Sequence, residues 1–443
     1  MKMCKHALFD EKYRAAYARM ATDIAARISA GRYAAMGYTT NYDLICTLEA
    51  DALNAFVHKA APELTRASLR PVEQIETPQD LACTLAYHCL TGLGGEMDIA
   101  QLQELRQDFC WRAAIGGTAP QAAMALAAVG CPSAIHMTDH SPEVRGILSS
   151  PYIHTVDGDG HLVPVSSIPA GTIREIHWIF QFQKGGQLAL ADGAYEISAS
   201  NRIILTQSEI NRQVPLQAPY LHYVETHAKA FTSNVLSSFN AMTDEALLGQ
   251  RLESILRHVA AYRQGNPCGI VYYEDAHYHS AGVRALCLRQ LFPLSDIVSM
   301  NEEELAQTLA AIGFVLDFED IHSYVAGAYL LKERFGVRKG LIIHTKDFAL
   351  YVGEPLRANI ETGLLYGNLM ATAKALNGDY GTYPQLADVL TLPLSEKGLR
   401  AHAALAAKAK DMGAVLVPSR YIARPKYTIG LGDSFMAGVQ ICF

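Results

Sequence analysis

The sequence predicts an α/β fold with a mainly parallel sheet, on three observations. Short apolar runs of strand length alternate with longer stretches whose apolar residues recur at helical spacing. Half of the 443 residues are hydrophobic and 18% are charged, enough to bury a large core. At roughly 100–200 residues per domain, the length allows two or three domains.

The first thirty residues or so read as a helix, with Ala15, Met20, Ile24 and Ile28 at near-helical spacing. Strands are predicted at Ile176–Phe182, Ile203–Thr206, Gly269–Tyr273 and Leu341–His344. Helices are predicted at Gln121–Val129, Leu247–Tyr262, Glu302–Ile312 and Ile321–Phe335. Their alternation places a parallel sheet between helices. Two stretches stand apart. Residues 44–107 read as helices with few strand signals, and 172–206 as short strands around Lys184-Gly185-Gly186 and Asp192-Gly193. They are assigned to a smaller lid domain. Residues 1–43, 108–171 and 207–443 form the large one.

The formal charge is −7, from 44 acidic and 37 basic residues. That argues against nucleic acid as a partner, since such a surface shows a clustered basic excess. The nine cysteines are scattered without a C-x-x-C pair, as in Leu-Ile-Cys46 and Val-Gly-Cys131. They read as reduced core residues of a cytoplasmic protein. The N-terminal residues lack the apolar core of a signal peptide, and no apolar stretch is long enough to span a bilayer.

The strongest motif is Thr428-Ile429-Gly430-Leu431-Gly432-Asp433-Ser434, a strand-like approach, two glycines, an aspartate and a helical pattern with a small-residue face. Glycines let backbone N–H groups come close to a ligand, and a helix N-terminus adds unpaired donors and partial positive charge. Together they suit a phosphoryl group. Asp433 there can take the proton of an attacking hydroxyl. The same string is also a Gly-rich turn capped by Asp433. A second motif runs Ser299-Met300-Asn301-Glu302-Glu303-Glu304-Leu305. Asn301 and Glu304 share one face of a first helical turn. They suit a hydrated Mg²⁺ or another divalent cation, and equally a capping box.

These segments, in order, resemble the ADP-dependent sugar kinases, glucokinases and phosphofructokinases of the ribokinase-like superfamily. Beside Asn301-x-x-Glu304 and Gly430-x-Gly432-Asp433 stand Gly37-Tyr38-Thr39-Thr40-Asn41-Tyr42-Asp43, Gly116-Gly117, His177–Phe182 with Lys184-Gly185, Asn201-Arg202-Ile203-Ile204, Leu236-Ser237-Ser238-Phe239, Tyr272-Tyr273-Glu274 and His344-Thr345-Lys346. The resemblance implies a large α/β domain with a lid that closes over the sugar. It implies Asp433 as base, with the amides of Gly430, Leu431 and Gly432 on the moving phosphoryl group. Glu304, Asn301 and Glu274 would organise Mg²⁺. Asn41, Asp43, Gly116, Gly117, Gln181 and Arg202 would face the sugar. His344, Thr345, Lys346 and Thr428 would face the nucleotide.

Four positions depart from the family pattern: Tyr272 for the His of H-x-E, Gln181 for a lid glutamate, Thr118 for an amide residue and Ser238 for the Gly of L-S-G-F. They leave glucose and fructose 6-phosphate both open as acceptor. The cations Arg202, Arg424 and Lys426, together with Gln181, put a phosphofructokinase-like activity ahead of a glucokinase-like one. An ATP-using ribokinase-type enzyme and a binding protein without turnover are the alternatives. The protein is expected as a monomer or small homo-oligomer. His277-x-His279 with Asp275, and His136 with Asp139 and His140, read as solvated loops. Lys332, Arg334, Arg338 and Lys339 read as cations near a helix C-terminus.

Overall fold

The computed structural model describes residues 2–70, 72, 74–172, 176–206, 209–278, 280–408 and 413–443. Its largest element is a ten-stranded sheet, in the spatial order 414–418, 348–353, 340–344, 297–301, 270–274, 231–236, 33–36, 133–135, 153–156 and 162–164. The strands from Gly340–His344 to Ile153–Val156 are parallel, and antiparallel strands close both edges. Alternate residues feed two cores. Met36, Val235, Tyr272 and Ile342 face the N-terminal helix and the helices 118–128, 360–377 and 431–440. Ala35, Leu236, Val271 and Ile343 face helices 245–265, 281–290, 302–310 and 321–335. Burial on both faces explains why these strands read as continuous apolar runs.

Local signals fix the helix limits. Ile321–Phe335 begins after Asp320, whose side chain accepts the His322 N–H, and ends at Gly336 with φ 68°. The C-terminal helix Leu431–Gln440 packs against Ile360–Asn377 so closely that a Cβ on Gly438 would lie 2.6 Å from the backbone N of Gly367.

A second, six-stranded sheet has the order 74–75, 95–99, 201–206, 176–182, 41–47 and 112–116. Helices Ala50–Ala60 and Pro78–Thr91 cover one face through Leu44, Cys46, Trp178, Phe180 and Ile203. This sheet reaches beyond the predicted 44–107 and 172–206. Asn41–Asp43 begin its strand Asn41–Thr47, and Arg112–Gly116 pairs with that strand. Residues 44–107 also hold the strand Gly95–Ile99, which pairs with Asn201–Thr206. Two polar segments are not solvated. His136 is fully buried, with Nδ1 2.7 Å from the Tyr38 carbonyl and Nε2 accepting the Gln217 N–H, and Asp139 is buried beside it. Asp275 is buried in an ion pair with Arg284. His279 lies outside the described residues.

Ser238, which stands where the family pattern has glycine, has φ 76°. Its Oγ accepts the N–H groups of Tyr38 and Thr39, each at 3.4 Å. Left-handed backbone is costly for side chains branched at Cβ. Ser238→Val is therefore expected to destabilise by about 2 kcal/mol, while Ser238→Gly keeps or raises stability. Urea midpoints of the two variants check the ranking.

Candidate active site

The site forms at the carboxyl ends of the parallel strands, where open α/β sheets bind ligands. Glu274, Asn301 and His344 end three adjacent strands, and Asn301 is in register with His344. The glycine turn stands over them. Gly432 is close enough that a Cβ there would meet His344 Cε1 at 3.2 Å and Glu274 Oε1 at 4.0 Å. The helix starts at Leu431, so the N–H groups of Leu431 and Gly432 have no intrahelical partner. Gly430, the N-cap, makes the left-handed turn at φ 65°. A Cβ there would meet Gln121 Oε1 at 2.1 Å and Lys374 Nζ at 2.8 Å.

Asp433 is half-buried in that first turn. Burial pushes its carboxyl up to about 6; Glu274 adds to the rise, while Lys374, a hydrogen bond from Thr118 and His344 oppose it. Thr118, one of the departures from the family pattern, thus acts on the predicted base.

The uncovered face of the smaller sheet looks onto this turn. Strand side chains alternate, so Asn41, Asp43 and Ile45 share a face. Register adds Gly116 and Arg112 from one neighbour, His177, Ile179 and Gln181 from the other, and Arg202 beyond. Ile45 and Ile179 pack on Ile429, which leads into the glycine turn. Hence the five predicted sugar-side residues Asn41, Asp43, Gly116, Gln181 and Arg202 lie on one surface. Gly117, with φ 90°, caps the helix that follows. Asn41 Oδ1 and Asp43 Oδ1 are buried without a hydrogen-bond partner. Burial raises the Asp43 carboxyl to about 7, countered by Lys374 and Arg202 and reinforced by Asp433 and Glu96. His177 Nδ1 lies 3.5 Å from Asp43, and burial lowers that imidazole to about 4, so it is neutral.

Sequence reasoning missed Lys374. It is 2% exposed, its Nζ donates to Gln121 Oε1 at 2.7 Å and to the Gly430 carbonyl at 3.3 Å, and it sits 4.1 Å over the Tyr380 ring. Burial lowers its pKa to about 8 against the pull of Asp433, Asp379 and Asp43. A signal existed: helix Ile360–Asn377 has apolar residues all round, so a lysine near its end has no wet face.

Asn301 and Glu304 do form a capping box. Asn301 Oδ1 accepts the N–H groups of Glu303 and Glu304, and Glu304 Oε2 accepts that of Asn301. Asn301 therefore positions Glu304. Burial, then Asp275, pushes the Glu304 carboxyl up to about 8. Glu274 is 6% exposed; its Oε1 lies 3.3 Å from His344 Nε2 and its Oε2 has no partner. His344 is raised, because Glu274, Glu304 and Glu302 together outweigh its burial. The buried Glu274, with one oxygen unpartnered, and the half-buried Glu304 fit a hard divalent cation. Among the described residues, Asp157, Asp159 and His161 also cluster, but as an exposed turn in which Asp157 accepts the Asp159 and His161 N–H groups.

A pocket of about 330 Å³ opens beside the turn, lined by His344, Thr345, Lys346, Asn368, Leu431 and Gly432 among others. It gathers three of the four predicted nucleotide residues. Thr428 is exposed and does not line it. No described helix is long and apolar enough to cross a membrane.

A glycine-lined helix entrance at the carboxyl edge of a parallel sheet, with a carboxylate in its first turn and a second sheet facing it, defines a phosphotransferase of the two-domain α/β class. The chain belongs to the ADP-specific phosphofructokinase/glucokinase family, whose conserved region matches residues 32–440. It is 22% identical over 435 residues to the ADP-specific phosphofructokinase of Pyrococcus furiosus, covering 92% of this chain and 95% of that one. It is 23% identical over 431 residues to the ADP-dependent glucose/glucosamine kinase of the same organism, covering 92% and 93%. Its fold matches the crystal structure of a hypothetical ADP-dependent phosphofructokinase from Pyrococcus horikoshii OT3, with TM-score 0.77, 19% identity and coverage of 93% and 98%. The chain is thus a sugar kinase by family.

Proposed function

We propose that the chain transfers the terminal phosphoryl group of ADP to a hydroxyl of a sugar phosphate held against the smaller sheet. The observation that carries this is Asp433, which feels Asp43 of one sheet, whose Oδ1 like that of Asn41 is buried without a hydrogen bond, and the Glu274–His344 pair of the other. Asp433 accepts the hydroxyl proton as the oxygen attacks. The free N–H groups of Leu431 and Gly432 stabilise the charge on the transferring group. Asn41 and Asp43 orient the sugar, and Lys374 favours the ionised form of Asp43 and Asp433 against their burial. Glu304 and Glu274 would hold Mg²⁺, which neutralises phosphate charge when bound. The Arg202 and Arg112 cations on the sugar face favour a phosphorylated acceptor. The names of both relatives support ADP as donor.

Rates for a panel of sugars and sugar phosphates with MgADP and MgATP, detecting AMP or ADP as product, test the reading. AMP formation with fructose 6-phosphate is expected; binding of sugar and nucleotide with no product from either donor would overturn it. Glu304→Gln is expected to raise the Mg²⁺ concentration for half-maximal rate by about tenfold. An unchanged titration would leave Glu304 as a helix cap alone.

A further inference from the structure

At the opposite edge of the main sheet lies a cavity of about 920 Å³. It sits where five adjacent parallel strands begin, and Arg32, Phe231, Ile270, Asp296 and Lys339 stand at or just before those starts. Its charge is one-sided. Arg32, Lys229, Arg263, Arg338, Lys339 and Arg357 line it against a single carboxylate side chain, Asp296. This occurs in a chain of net charge −7, so overall composition does not account for it.

Local pairing does not account for it either. Asp296 is committed, accepting the Val271 N–H at 2.8 Å and pairing with Arg263 at 2.9 Å and Arg338 at 3.2 Å. Lys339 pairs with Glu354 at 2.9 Å. Arg357 Nη1 donates to Cys268 Sγ at 2.7 Å, leaving its charge without a carboxylate. The side chains of Arg32 and Lys229 make no hydrogen bond or ion pair among the described residues. Arg32, Lys229 and Arg357 thus line one concavity without an ion pair to a carboxylate side chain among the described residues, an arrangement that focuses field on a bound anion. The size is that of a nucleotide-class ligand site, and Phe231, Ile270 and Leu356 supply apolar wall for a ring beside the phosphates.

We propose that this cavity is a second anion site, taking a phosphorylated small molecule of nucleotide size. It is separate from the active site by the length of strands such as Ile270–Glu274, about 16 Å. The proposal does not depend on which sugar or donor the enzyme uses, because its test reads binding alone.

Titration calorimetry of the full chain with inorganic tripolyphosphate provides that test. Two equivalents are expected to bind the unmodified chain, one at each end of the sheet. Arg32→Glu/Lys229→Glu is expected to weaken one of them by about tenfold or more, while Lys374→Met leaves that equivalent unchanged. The milder Arg32→Gln/Lys229→Gln pair must show a smaller loss in the same direction. Equal affinity and stoichiometry in all charge variants would overturn the site, placing every bound anion at the glycine turn. So would self-association of the unmodified chain that Arg32→Glu/Lys229→Glu abolishes and tripolyphosphate does not, since an acidic patch of a second copy would then fill the cavity.

Discussion

Asp433→Asn is expected to lower kcat by about three orders of magnitude, within the 10²–10⁴-fold range of positioned proton transfer, while nucleotide affinity stays within a few-fold. The amide keeps the shape and the hydrogen-bonding oxygen but takes no proton at neutral pH. The free N–H groups of Leu431 and Gly432 and the pocket beside them are untouched by the change. Single-turnover rates with separately measured nucleotide dissociation constants check this, and near-normal turnover would end the assignment of Asp433 as base. The unmodified enzyme adds a pH signature. Asp433 acts only when ionised, so kcat/KM should rise with pH through its value of about 6. It should fall again as Lys374 loses its proton near 8.

Lys374→Met is expected to lower kcat/KM at pH 7 by about 10²-fold and to move the acid limb up by about one pH unit. Methionine fills a similar volume without charge. Lys374 is the leading influence that lowers both Asp43 and Asp433 against their burial. Without it both carboxyls are protonated over more of the neutral range. The Gly430 carbonyl and Gln121 also lose a donor. A purely structural lysine would cost stability and leave the limb where it was, so the pH profile separates the two roles. Substitution by arginine should restore charge but not activity, because the site is closed by Gly430, Gln121 and Tyr380.

Helix Ile321–Phe335 and strand Ile176–Phe182 were legible to the residue, the first from its cap and terminal glycine, the second from aromatic residues on alternate positions. The glycine turn with Asp433 in the first turn of the helix was legible because it lies in a few consecutive residues. Strand Gly95–Ile99 was not, since it is largely exposed and carries glycine and two acids where apolar alternation would mark it. His136 looked like loop because its partners, Tyr38 and Gln217, are 98 and 81 residues away. The all-apolar helix marked Lys374 as buried, but its partners Gln121 and Gly430 reach it from distant parts of the chain and no local pattern names them. The gathering of Asn41, Gly116, Gln181 and Arg202 on one face depends on strand pairings that no local pattern specifies.

Strand Arg112–Gly116 belongs to the smaller sheet, and helix Thr118–Ala128 to the larger body, with Gly117 alone between them. Gly117 is held on the Thr39 carbonyl, where a Cβ would come within 2.4 Å. The first residue beyond it, Thr118, bonds Asp433, and one turn on Gln121 bonds Lys374. In the proposed reaction a swing of the smaller sheet would therefore reach Asp433 and Lys374 through a single residue of chain. Lengthening this link by an inserted glycine is expected to separate the smaller sheet from Asp433 while leaving both sheets intact.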